Sequence, residues 1–443
     1  MRIANELKVP KDEQADLYYS LLLKDAGCSS NASKMYHTFA SDDISAKRDI
    51  KKIDITRRDW SALQYALNHV ATGKPFLQRV KAIYELMASE KQNARETVAI
   101  RCERGASMAR LMGLPLRTAE AIAGLDEYWN GAGNPTGAKG EEIPLASRIM
   151  LLSQTLDVFY KSGGIDQALD YCRERSGTLF DPTVVKAASS LANRDILFAG
   201  LDMDQPLVMA LALEPGQRML AEGDISLDAV CQAFAQIVDA KSPFTYNHSN
   251  GVANAAVAIA TELGFEPERT RFIRHAALLH DLGKLAVSNT ILEKPGKPDA
   301  AEWQALREHP SYTWTILRSI GGCQSLAEVA ASHHEKLNGT GYHRGLTAAQ
   351  LPLESRILVV ADIFDALSAK RPYRDSLPPE VVFHIMAKDV PHAIDADCYE
   401  ALVQSGFAFD QSFVDLSALN QTLAQKEAQS RSVPHKIELV VGG

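Results

Sequence analysis

The chain compares well with itself. Residues 119–149 lie over 327–357 without a gap. Glu127 meets Glu335, Asn130-Gly131 meets Asn338-Gly339, Pro144 meets Pro352, Arg148 meets Arg356 and Asp157 meets Asp365, all at an offset of 208. Upstream, residues 3–27 lie over 259–283 at an offset of 256. Self-similarity on this scale restricts the chain to two copies of one architecture in tandem, which suits 443 residues, too many for one ordinary core. The expected division is 1–200, 201–425 and a flexible charged tail, 426–443, with the seam near 190–206.

Apolar residues recur at three- and four-residue spacing, as in VCQAFAQIVDA (230–240) and EVVFHIMAKDV (380–390), and strand alternation is confined to KIELVV near the C-terminus. The expected fold is all-α, two tandem helical domains. Net charge is −8, which disfavours a groove for long nucleic acid while leaving room for a small anion. The longest apolar runs, such as ILVVADIF (357–364), are too short to span a membrane. Six scattered cysteines with no Cys-x-x-Cys pair, and no secretory leader, suggest a cytoplasmic protein with reduced thiols.

The two halves differ in chemistry. Of twelve histidines only His37 and His69 precede residue 240. In the second half His248 opens a helical run, His280-Asp281 ends another, His309 lies in REHPSYTWTIL, His333-His334 ends a third, and Asp362 sits in an apolar helix. Imidazole and carboxylate suit Fe, Mn or Zn. A helix-borne carboxylate bridging two cations ~3.5–4 Å apart holds a hydroxide ready for in-line attack on phosphorus. A lone histidine at a helix end is most often a cap or a solvated group, so His275, His343, His384, His392 and His435 keep that reading. Asp362 among valines and isoleucines needs a partner or a metal.

Taken in order, His248, HDLGK (280–284), EHP (308–310), HHEKLNGTGYHRG (333–345) and ADIFDALSAKRPYR (361–374) resemble the HD-GYP family of cyclic dinucleotide phosphodiesterases over roughly 225–415. The resemblance implies two divalent transition metal ions, Fe or Mn first, with Zn and Ni compatible. One would be held by His248, His280, Asp281 and Asp362, the other by Asp281, His309, His333 and His334, with Asp281 bridging. Lys284 matches the lysine beside the scissile phosphate. Phe244 stands where some members carry a glutamate for a third metal. Gly341-Tyr342-His343 departs from the Gly-Tyr-Pro triplet, so a polar group replaces a loop stiffener; catalysis is expected to survive, with substrate preference the point at issue. Gly341, Tyr342, Arg371 and Arg374 are expected to bind substrate, the arginines by forking onto phosphate oxygens. The implied reaction turns cyclic di-GMP into linear pGpG, and GMP if both diesters are cut, with 3′3′-cyclic GMP–AMP as the alternative substrate. Other readings are a different nucleotide phosphohydrolase of the HD superfamily and a signalling scaffold.

In the same register the first half carries Lys24 for His280, Cys28 for Lys284, Arg101 for His309, Leu125 and Asp126 for His333 and His334, and Gln154 for Asp362. Only Asp25 keeps its ligand identity, and a lysine ammonium has no lone pair to give a metal. The arginine loop has no counterpart, and the partner of His248 would precede Met1, so this copy is expected to lack its first helix. It reads as a metal-free copy with a regulatory or structural role, homodimerisation among the roles open to it.

Overall fold

The computed structural model describes residues 1–31, 95–200, 206–215, 226–242, 247–294, 296–368 and 376–407. The described residues are helical, with no strand beyond the isolated bridges Ser176–Phe180 and Asn338–Thr347. KIELVV, the tail, His37, His69 and His435 lie outside them. The chain forms two compact units, Met1–Ala233 and Phe234–Gly443.

The first unit contains α1 (Arg2–Glu6), α2 (Lys11–Leu23), α3 (95–111), α4 (Leu116–Ala123), α5 (Leu145–Glu174), α6 (Pro182–Ala192) and α7 (Pro206–Ala212). Helix α8 (Leu227–Asp239) crosses the boundary. The second unit continues with α9 (His248–Glu262), α10 (Pro267–Leu279), α11 (Asn289–Leu292), α12 (Ala300–Arg307), α13 (His309–Arg318), α14 (Gln324–Ala330), α15 (Leu353–Ser368), α16 (Pro379–Ala387) and α17 (Ala396–Gln404).

Local sequence sets these boundaries. Proline at the first helical turn of α6, α10 and α16 fixes φ where no amide partner is needed. Asp181 accepts from the Thr183 amide at the start of α6, Asp395 from the Cys398 amide at the start of α17, and Asp299 with Glu302 forms a capping box on α12. Gly163-Gly164 interrupts α5 with non-helical backbone.

In the second unit α9 is the central helix and packs on α10, α15 and α17. Its buried face, Val252, Ala253, Ala255, Ala256, Ile259 and Ala260, is small enough for close approach. Ile273 and Leu278 of α10 and Ile357 and Val360 of α15 complete the core, each worth about 1.5–3 kcal/mol when fully buried. In the first unit Leu17, Leu125, Ile149, Met150, Leu152 and Phe180 form the corresponding cluster.

Several local geometries recur at the offsets read from the sequence. Helices α2 and α10 share both boundaries at 256, while α4 with α14 and α5 with α15 share their starts at 208. A Cβ on Gly283 would lie 1.9 Å from the His309 carbonyl oxygen, and one on Gly27 would lie 2.0 Å from that of Arg101. Buried Glu335 accepts from the Arg344 amide at 2.8 Å, and buried Glu127 from the Thr136 amide at 2.6 Å. Arg356 pairs with Asp395 at 3.0 Å, and Arg148 with Asp181 at 2.6 Å, the arginines 208 apart and the aspartates 214 because the first copy is shorter between them. Helix α1 is five residues long where α9 has fifteen.

Candidate metal centre

Five histidines and two aspartates, delivered by separate segments, converge in the second unit. His248 is the first residue of α9, His280 follows the last residue of α10, His309 opens α13, His333 and His334 follow α14, and Asp362 lies within α15. All are buried, His280 completely.

The helix ends orient the rings. Nδ1 of His280 lies 2.7 Å from the Ala277 carbonyl, that of His309 2.7 Å from Leu306, and that of His333 2.8 Å from Ala330. A carbonyl only accepts, so each Nδ1 carries the proton and each Nε2 turns a lone pair inward. His248 is oriented by a carboxylate instead, its Nδ1 donating to Asp365 Oδ2 at 2.6 Å. Asp365 is a residue that the sequence reading did not single out. It lies one helical turn after Asp362, and that spacing was the available signal. Gly251 makes room for it, since a Cβ there would come within 1.8 Å of Asp365 Oδ1. Asp239, also not foreseen, fixes the start of α9 by accepting from the Ser249 hydroxyl at 2.7 Å and from its amide.

Asp281 lies between two groups. Its Oδ2 faces His280 Nε2 at 3.3 Å, His248 Nε2 at 3.7 Å and Lys284 Nζ at 2.7 Å. Its Oδ1 faces His309 Nε2 at 3.3 Å and His333 Nε2 at 3.7 Å. Asp362 divides likewise, with Oδ1 3.3 Å from His248 Nε2 and Oδ2 3.7 Å from His334 Nδ1. Two sets of donor atoms are each gathered within 4.8 Å, His248-His280-Asp281 and His309-His333-His334.

These groups fit divalent cations on physical grounds. His280 Nε2, Asp281 Oδ1, His334 Nε2 and Asp362 Oδ2 are buried without a hydrogen-bond partner, a costly arrangement for polar atoms. The Nε2 atoms of His309 and His333 are 3.0 Å apart, both with lone pairs inward. Such a pair repels unless a cation or proton stands between. Burial and the neighbouring rings push His333 well below the usual imidazole value, and burial takes His334 down to about 3, so both remain neutral donors. Burial would raise the Asp281 carboxyl, but His280 and Lys284 hold it well below the carboxylate range. At His248 the burial penalty is overcome by Asp362 and Asp365, which push the ring up to about 10. The carboxylates thus create a strong local demand for positive charge.

Around the donors, Lys284 is buried against Asp281. Tyr342 sits beside His334, ring centroids 4.7 Å apart. Burial and then Asp362 raise its phenol above the usual value, so it stays protonated. A Cβ on Gly341 would meet the backbone of 334–336 at 2.4–2.6 Å, so this glycine lets the loop lie directly on the segment that carries His334. The left-handed backbone of the loop falls at Gly339, φ +75°, and Gly345, φ +66°. The peptide bond between Tyr342 and His343 is cis, as is that between Asn134 and Pro135. Arg371, Arg374 and Phe244 lie outside the described residues.

In the first unit the positions matching these donors hold ion pairs. Lys24 pairs with Asp25 and Arg101 with Asp126.

The HD domain family model matches residues 73–184 and 232–398. The chain is 41% identical to the 3′3′-cGAMP-specific phosphodiesterase 3 of Vibrio cholerae over 402 residues, 91% of this chain and 87% of that protein. It is 32% identical over 207 residues to a cyclic di-GMP phosphodiesterase response regulator of Xanthomonas campestris, 46% of this chain and 54% of the relative. A crystal structure of a cyclic GMP-AMP-specific phosphodiesterase of V. cholerae, V-cGAP3, superposes with a TM-score of 0.59 at 35% identity, covering 94% of this chain and 92% of that one. The chain belongs to the HD domain family, as the HD-GYP-like order of its motifs implies, and the family implies divalent metal binding. Among the described residues no helix is long and apolar enough to cross a membrane.

Proposed function

We propose that the second unit is a metal-dependent phosphodiesterase that opens cyclic dinucleotides, with 3′3′-cyclic GMP–AMP preferred over cyclic di-GMP. The observation that carries the chemistry is the position of Asp281, with one oxygen toward each of two groups of inward-facing imidazoles. The likeness to a relative named as specific for 3′3′-cGAMP, extending over 91% of the chain, reverses the order of substrates expected from the motifs alone. His343, where the family has proline, fits a change of preference.

In this reading His248, His280, Asp281 and Asp362 hold one ion and Asp281, His309, His333 and His334 the other, with iron or manganese the first candidates. Bound ions supply Lewis acidity and an activated water. The chain's own residues do the rest. The Ala277, Leu306 and Ala330 carbonyls and the Asp365 carboxylate lock the ligand rings in the correct tautomer. As water attacks phosphorus and the bond to the 3′-oxygen breaks, the Lys284 ammonium offsets the developing charge and provides the leaving oxygen with a proton, directly or through water. Buried Asp281 holds that ammonium in place.

We further propose that the first unit is a metal-free copy of the same framework with a regulatory or structural role. Its support is that Lys24, Arg101, Leu125 and Gln154 replace donors while the packing glycines and the arginine–aspartate pair recur.

Anaerobically purified protein, analysed for metal and assayed with Mn²⁺ or Fe²⁺, tests the reading. The expected result is two ions per chain and turnover of 3′3′-cyclic GMP–AMP at least about tenfold above cyclic di-GMP in kcat/KM. Metal-loaded protein that opens neither dinucleotide, or that hydrolyses deoxynucleoside triphosphates instead, overturns it.

A further inference from the structure

Beside the metal centre is a cation that the mechanism above leaves unused. Arg307 is the last residue of α12, two positions before His309. Its guanidinium lies 4.6 Å from the centroid of the Tyr342 ring, and that ring lies 4.7 Å from His334. The three groups form a short stack leading away from the metal donors. Its place in the chain is close to the donors, because the adjacent Leu306 carbonyl is the one that orients His309.

Stacking on a ring engages the flat face of a guanidinium and leaves its in-plane N–H groups free to donate. Among the described residues no carboxylate forms an ion pair with Arg307, whereas Arg344, Arg356 and Arg269 of the same unit each have one. A partly buried fork with unused donors is suited to a phosphate. A cyclic dinucleotide brings two phosphodiesters into a site, and only one can lie over the metal donors during cleavage.

The first unit supplies an independent observation. At the same offset of 208, Arg307 becomes Ala99 and Tyr342 becomes Asn134. The packing features Gly27, Glu127 and Arg148 are kept there, while the arginine, the tyrosine and, apart from the match of Asp281 at Asp25, the metal donors that have a counterpart are replaced together. A cation that served only α12 or the loop would be expected to follow the framework rather than the donors.

We infer that Arg307, stacked on Tyr342, binds the second phosphodiester of the cyclic dinucleotide, the one that is not being cut. This rests on the phosphodiesterase reading and assigns that site a further substrate-binding residue. A substrate with a single phosphodiester has nothing to offer it.

The test compares R307Q and R307K with wild type on 3′3′-cyclic GMP–AMP, cyclic di-GMP and bis(p-nitrophenyl) phosphate, with metal content measured on each protein. The expected result for R307Q is a KM for the cyclic dinucleotides raised about tenfold or more, turnover of bis(p-nitrophenyl) phosphate within about twofold, and unchanged metal. R307K should recover part of the loss as a cation without the planar fork. An unchanged KM, or equal losses on cyclic and single-diester substrates, overturns the inference. Failure of wild type to open either cyclic dinucleotide overturns the phosphodiesterase reading and this inference with it. Wild-type turnover with an unaffected R307Q overturns this inference alone.

Discussion

The two units meet the same backbone requirements with opposite charge arrangements. In both, a glycine presses on a main-chain carbonyl, a buried glutamate ties down a loop through an amide, and an arginine pairs with the aspartate that precedes a helix. In the first unit the carboxylates at the comparable positions have side-chain cations as neighbours, Lys24 on Asp25 and Arg101 on Asp126. In the second, imidazoles converge on Asp281 and Asp362, and although Lys284 pairs with Asp281 Oδ2, Asp281 Oδ1 and Asp362 Oδ2 remain buried acceptors without a hydrogen-bond partner. On the proposed reading, then, the framework does not dictate metal chemistry. A handful of side chains set on helix ends does.

The largest effect should come from breaking the bridge. Asp281→Asn is expected to reduce kcat/KM at least about 10³-fold and to lower metal content, while Asp25→Asn leaves metal content unchanged. Equal metal loss from both variants would end the proposed division of roles.

Next come the packing glycines, where the units should respond alike. Gly283→Ala and Gly27→Ala each place a Cβ about 2 Å from a carbonyl oxygen, and each should cost about 2–4 kcal/mol in denaturant unfolding. Tolerance at Gly27 alone would mean that the shared framework has relaxed in the first unit.

Asp365→Asn tests the support for His248. The expected loss is about 10–100-fold in metal affinity or activity, with the fold intact by circular dichroism. The residue at the same register in the first unit, Asp157, pairs among the described residues with exposed Lys161 alone, and Asp157→Asn should change neither readout.

The smallest effect concerns the paired arginines. Arg148→Met and Arg356→Met should each cost about 1–2 kcal/mol. Burial would raise the Asp395 carboxyl, but the Cys398 amide and Arg356 hold it below the usual range. A lowered carboxylate stabilises the fold above its unfolded value near pH 4, and that contribution is lost as pH falls through the lowered one. R356M should therefore show a shallower loss of stability on acidification, measured by unfolding between about pH 2 and 5.

Much of this contrast was legible in the residues. Helical periodicity, the offsets of 208 and 256, and the order of histidines and aspartates pointed to an all-α fold and to the seven residues proposed as donors, which the structure gathers in one place. Asp365 was not singled out because a carboxylate one turn from another is common on helices, and only the 2.6 Å contact with His248 gives it a role. Arg307 was missed for a similar reason. Basic residues are ordinary at helix C-termini, and its ring partner is 35 positions away. The substrate order rested on the family resemblance as a whole, the altered triplet favouring only the alternative, and a single replaced proline does not by itself say which base the pocket admits.

The donors come from segments spread between His248 and Asp362, and the carbonyls that aim them exist only at finished helix ends. An extended chain offers no comparable set of oriented lone pairs. On the proposed reading, occupancy would by linkage be coupled almost entirely to the native state, so that bound ions would act as a clasp on α9, α10, α13 and α15 as well as a reagent. Stripping them with a chelator should loosen these four helices together and leave the first unit, with its internal cations, as stable as before.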